Sequence, residues 1–217
     1  NKAVPERWNR LVNYLESNGI HANLGIIGFA LDSDRNDFFD WLRRVEVSEG
    51  IEFWNHGYNN RTGLHQPGEF EGDFNSQYRA LHLTDSLATA KAGLKLKAWG
   101  PHWTDCNQYT DSALSTLSNL ELIFAHPTQP EIKQYKGVVI PFNLEMEYPY
   151  HNPVYNEFII NYLGKYRNLE TFYLQGHPNS WDDVRWNEFT RIIDRLKADG
   201  VRFMTVSEYL RDAAHSI

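Results

Sequence analysis

Residues 51–72 read IEFWNHGYNNRTGLHQPGEFEG. The stretch opens on Ile51-Glu52-Phe53-Trp54, a short apolar run with the character of a buried strand, and then breaks at once into a polar loop of Asn, Gly and His. A hydrophobic strand that hands over directly to His56 and Asn60 is how an α/β enzyme presents side chains at the C-terminal end of a strand. A single histidine serves equally well as a core residue tying down backbone. The reading therefore turns on whether other strands end the same way.

They do. Upstream, residues 5–18 place Trp8, Leu11, Val12 and Leu15 on one helical face, closed by Gly19. Residues 22–28 read as a strand, and 34–47 as a helix with Phe38, Phe39, Trp41, Leu42 and Val45 inward. Downstream, a helix is expected over 75–92 and a strand over 94–99 that ends in Gly100-Pro101-His102-Trp103. A short helix at 110–117 and a strand at 120–124 come next. A strand at 138–142 continues into Asn143-Leu144-Glu145-Met146-Glu147. Residues 153–165 form a helix, and 171–174 a strand leading into Gln175-Gly176-His177-Pro178. A helix at 181–199 closed by Gly200, a strand at 202–206 and a helix at 207–213 complete the chain. Strands alternating with helices predict a parallel sheet with helical crossovers, open or closed into a barrel, as one domain over 1–217. The chain opens on a helix, so the strand expected to precede it is missing from this sequence.

Composition narrows the partners. A net charge of −7, with no Lys/Arg cluster, argues against nucleic acid. No run of 18 apolar residues exists to span a membrane. Cys106 is the only cysteine, which leaves neither an internal disulfide nor a cysteine zinc site. The aromatic share is 14%, and many of these residues sit beside Asn, His, Gly or Pro rather than inside apolar runs. Aromatic faces stack on the C–H surfaces of sugars, so the pattern points to carbohydrate, against the alternative of large core residues with polar handles.

In a parallel α/β barrel the C-terminal strand ends share one rim. Collected there are His56 and Asn60, then Trp99, Pro101 and Trp103, then Asn143 and Glu145, then Gln175 and His177. No nucleophile elbow, recognisable Cys–His pairing or phosphate loop accompanies them. Imidazole with amide or carboxylate oxygen suits Zn²⁺ or another divalent cation. Such an ion activates water and polarises an acyl carbonyl. His177, from a different strand, then serves as general acid.

Ordered blocks strengthen this: ANLGIIG, EFWNHGYNN, AWGPHWTDCN, and finally FYLQGHPNSW before FTRIIDRLKADGVRFMTVSEYL. Over nearly the whole chain they resemble the polysaccharide deacetylases with the NodB-type homology domain, carbohydrate esterases of family 4 type in the glycoside hydrolase/deacetylase superfamily. The resemblance implies a distorted (β/α)7 barrel, a Zn²⁺ or similar cation, hydrolysis of N- or O-acetyl groups on a carbohydrate polymer, and an extracytoplasmic setting. His56 matches the first His of the family's H-x-x-x-H metal motif, and Asn60 stands where the second His is usual. Trp99, Gly100 and Pro101 fall at the groove-wall motif without its Arg. Trp99 and Pro101, with His102, Trp103, Asn143, Glu145 and Trp181, form the expected substrate-binding set. His177 matches the late His, the proposed acid. The family's first motif, a paired Asp at the end of the first strand, belongs to the strand that is missing here.

Two alternatives stay open. Glu145 and Glu147 could act as a glycosidase pair, although neighbours on one strand flank a bond poorly. A carbohydrate-binding relative could keep the aromatic groove without catalysis. The remaining histidines and the loop carboxylates Glu69 and Glu71 read best as packing or solvated residues.

Overall fold

β1 (Ala22–Ile26) and β2 (Ile51–Asn55) run parallel in register from Ala22 opposite Ile51 to Ile26 opposite Asn55. Leu24, Ile26, Ile51 and Phe53 are buried along them, as the alternating apolar pattern requires. The computed structural model describes residues 4–48, 50–59, 67–102, 106–125, 132–141 and 143–215. These fall into two compact units: His21–Val139 with Met204–Ile217, and Asn1–Ile20 with Ile140–Phe203.

The first unit holds a five-stranded sheet in the order β1-β2-β3-β4-β5, with β3 at Ala98–Trp99, β4 at Leu122–Phe124 and β5 at Val138–Ile140. Its registered pairs β1–β2, β2–β3 and β3–β4 are all parallel. Sequential neighbours in a parallel sheet need crossovers. Helices α3 (Asn36–Glu46), α4 (Phe74–Leu87) and α5 (Thr110–Leu114) provide them, with a single turn α2 at Gly28–Leu31. α4 begins where the Asp73 side chain accepts the Ser76 N–H, and continues as a π-helical turn over Ala88–Ala92 to Gly93 at φ 72°. Phe70, Leu81, Trp99, Leu114, Leu117 and Ile123 pack one core of this unit.

The second unit joins β6 (Asn143–Glu145) and β7 (Tyr173–Gln175) in a parallel pair. Helices α1 (Glu6–Asn18), α6 (Tyr155–Asn161) and α7 (Asp183–Ala198) accompany it. Tyr14 of α1 meets Trp186 and Phe189 of α7 edge-on at 5.5 and 5.6 Å, and Arg10 lies over the Trp186 ring.

The parallel α/β reading holds, and three expectations are corrected. The strand expected over 138–142 does not run on into 143–147: β5 and β6 are two strands in different sheets. The strand expected over 94–99 shrinks to two residues. Residues 202–205 form no ladder, because a side chain takes the place of one. The Asn23 amide donates to the Met204 carbonyl at 3.1 Å and accepts the Val206 N–H at 2.8 Å. Thr205 and Glu208 then close a reciprocal capping box, which starts α8 (Val206–His215).

Candidate functional site

Register builds the first cluster. Glu145 lies opposite Gln175, so two residues further on Glu147 comes level with His177. The Glu147 carboxylate takes four donors. Oε1 accepts the His177 N–H at 2.8 Å and the Trp181 indole N–H at 2.7 Å. Oε2 accepts the His177 Nδ1–H at 2.5 Å and the His151 N–H at 3.1 Å. A 3₁₀ turn over Pro178–Ser180 returns the chain so that Trp181 reaches the carboxylate. Gly176 makes the close approach possible, since a Cβ there would stand 2.2 Å from the Met146 methyl and 2.9 Å from the Trp181 ring.

The Glu147 side chain is only 5% exposed, whereas that of His177 is 37% exposed. Burial pushes the Glu147 carboxyl up, but the His177 hydrogen bond and charge, with the Trp181 donor, outweigh it and hold the group below the usual carboxylate range. An ionised carboxylate on Nδ1 fixes the imidazole so that Nε2 is left to exchange protons. His151 completes the cluster, with its ring centroid 4.6 Å from that of His177 and its backbone at φ 66°.

The second cluster belongs to the other unit. The His56 N–H extends the β1–β2 ladder to the Ile26 carbonyl at 2.9 Å, and the His56 Nδ1 lies 2.7 Å from the Gly100 carbonyl. A carbonyl can only accept, so Nδ1 carries a proton in this contact, which in a neutral ring makes Nε2 the lone-pair nitrogen. That is the tautomer a metal-ligating histidine takes when a second partner orients it. Trp54 and His102 rings lie 4.6 and 3.8 Å from the His56 ring. Glu69 holds the following turn, accepting the Tyr58 and Asn59 N–H groups at 2.7 and 2.9 Å. Burial raises its carboxyl to about 7 against the pull of those two bonds. Gly57 sits at φ 78°, and a Cβ there would fall 1.8 Å from Glu69 Oε1.

The expected site residues divide accordingly. His177 and Trp181 come together on Glu147, with Trp181 buried as a donor to the carboxylate. His56 and His102 come together in the other unit, His102 buried. Trp99 is corrected from sugar contact to core: it is 0% exposed and meets Phe70 edge-on at 4.9 Å. Asn143 is likewise corrected, its buried amide donating across the strand pair to Gln175. Glu145 is exposed and Pro101 half-buried. Asn60, Trp103 and His65 lie outside the described residues. Sequence reasoning missed the role of Glu147 as holder of His177, and the signal that would have found it is the strand register. With four donors on a buried Glu147 and Glu145 in solvent, the two carboxylates form no glycosidase pair.

Among solved structures the chain is similar to a CE4 family pseudoenzyme from Bacillus anthracis, at 13% identity and TM-score 0.64 over 94% of this chain and 60% of that one. It is also similar to the Xyl-CE4 domain of a multidomain xylanase from the hindgut metagenome of Trinervitermes trinervoides, at 17% identity and TM-score 0.65 over 97% and 86% of the two chains. A third is a family 4 acetyl xylan esterase from Clostridium thermocellum in complex with a cobalt ion, at 14% identity and TM-score 0.63 over 94% and 84%. The fold is that of the CE4 carbohydrate esterases. The chain spans three fifths of the length of the pseudoenzyme with which it shares the CE4 fold. No family model matches the chain, and no curated protein matches it in sequence.

Proposed function

We propose that this chain is a hydrolase that removes N- or O-linked acetyl groups from a carbohydrate polymer, with His177 as the general acid. The reading carries with it a distorted (β/α)7 barrel. One observation supports it above the others: the half-exposed His177 imidazole held at Nδ1 by the buried, ionised Glu147. In deacetylation a water oxygen joins the acetyl carbon and gives up a proton to solvent, from which His177 is reprotonated after each turnover; the bond to the sugar oxygen or nitrogen breaks, and the departing atom needs a proton. His177 delivers it from Nε2, and the Glu147 charge stabilises the imidazolium before transfer. Trp181 and the His177 N–H keep the carboxylate from turning away.

A divalent cation such as Zn²⁺ supplies carbonyl polarisation and a more acidic water when bound. His56, in the tautomer that leaves Nε2 as donor, suits such an ion. Asn60 would be its neighbour in the motif. Among the described residues no three His, Cys, Asp or Glu side chains gather to hold a cation. The similarity to a CE4 family pseudoenzyme supports a second reading, a carbohydrate-binding protein without turnover.

Acetate release from acetylated xylan and N-acetylated chito-oligosaccharides, with Zn²⁺ or Co²⁺ added, separates the two. Turnover that falls about 10²- to 10⁴-fold in His177→Gln, at unchanged oligosaccharide binding, is the expected result. Binding without acetate release from the parent under any of these conditions would leave the second reading standing.

A further inference from the structure

Beside His177 the chain makes a turn that the chemistry of proton transfer does not use. Residues 148–152 project from the second unit between Glu147 and Pro153, which pair as an antiparallel bridge. Tyr148 and Tyr150 are 62% and 72% exposed. Large aromatic side chains in solvent carry an apolar surface that water solvates poorly, and two of them in one five-residue turn mark a contact surface.

The turn is held rigidly for a surface feature. The Tyr148 N–H donates to the Asn152 carbonyl at 2.8 Å, and the Asn152 N–H to the Pro149 carbonyl at 3.1 Å. Arg185 of α7 reaches the Asn152 side-chain oxygen at 3.1 Å. The His151 N–H is bound to the same Glu147 oxygen that holds His177. His151 accepts a left-handed backbone, unusual outside glycine and costly by about 1 kcal/mol, while keeping its ring against His177. The carboxylate that fixes the acid therefore also fixes the turn.

We propose that the 148–152 turn is a stacking platform for a pyranose ring, with Tyr148 and Tyr150 as its faces. It would hold a sugar unit of the chain whose acetyl group is presented to His177. Three observations favour a saccharide as occupant: the phenols combine flat apolar faces with hydroxyls, the turn is ordered before binding, and it is continuous with the proposed acid. The inference rests on the deacetylase reading and deepens it.

The test is calorimetric titration of the parent and of Tyr148→Ala, Tyr150→Ala and Tyr150→Phe with tetra-N-acetylchitotetraose and with acetylated xylotetraose. Tyr109→Ala, an exposed tyrosine of the other unit, is the control. Each alanine variant is expected to weaken binding about 5- to 10-fold at an unchanged melting temperature, while Tyr150→Phe, which keeps the face and loses the hydroxyl, falls between the parent and Tyr150→Ala, and Tyr109→Ala binds as the parent does. Parent-like affinity in both alanine variants would overturn the platform and leave the deacetylase reading intact. A parent that binds neither probe would overturn the platform and count against the reading beneath it. Acetate release without measurable binding would be decided by KM, which must rise in the alanine variants at constant kcat or the platform falls.

Discussion

Trp181 shows how much a single donor carries. Its ring is buried against Phe189 at 4.8 Å, and its N–H is one of four donors on Glu147. Trp181→Phe keeps most of the packing and removes the donor, so the fold should lose about 1–2 kcal/mol in urea titration. The loss should also depend on pH. The Glu147 carboxyl lies below its ordinary value in the fold, so its contribution is full above the unfolded carboxylate range and disappears as pH falls through the folded value. With a donor gone the folded value rises, and acid unfolding of the variant should begin at higher pH than in the parent. Coincident acid transitions would refute this role. At this scale His177 was legible from sequence, since a polar residue directly after an apolar strand announces itself. Its partner was not, because Glu147 precedes it by thirty residues and meets it only through pairing in β6 and β7.

Gly25, next to the last residue of β1, is a test of element packing. A Cβ there would stand 2.8 Å from the Trp54 ring, whose indole N–H bonds back to the Asn23 carbonyl at 3.1 Å. Gly25→Ala therefore forces the indole off its seat and should cost about 1–3 kcal/mol by overpacking. The His56 ring, 4.6 Å from that indole, should shift with it, which a change in the His56 imidazole NMR resonances would report. Unaltered melting and resonances would contradict the account. The elements read from periodicity were those whose apolar positions recur over several turns, such as α1 and α7. The elements misread were short. β3 gives two residues to the sheet, and residues 202–205 lose their ladder to the Asn23 amide, a competition no hydrophobic pattern records.

Across the molecule, a net charge of −7 sets the response to acidity, and two half-buried glutamates modulate it. Burial raises Glu46 to about 7, aided by the charge of Glu52, and raises Glu69 to about 7. A carboxyl raised in the fold binds a proton that the unfolded chain has released, so stability falls as pH climbs from the ordinary carboxylate range through about 7. Glu46 Oε2 is also buried without a hydrogen bond among the described residues. Glu46→Gln removes the charge and should melt higher than the parent at about pH 8, with the two curves converging near about pH 5. A constant difference across that range would assign the effect to something other than ionisation. The parallel α/β plan was readable at this scale because it depends on the order of elements alone. The alignment of His177 with its carboxylate depends instead on a ladder that ends two residues earlier, where Glu145 faces Gln175. Side chains alternate faces along a strand, so inserting one residue after either position would turn His177 and Glu147 to opposite sides while leaving the pairing unbroken. This pairing is thus written in the chain as a residue count as much as a residue type, and a relative could retain both letters yet lose the partnership.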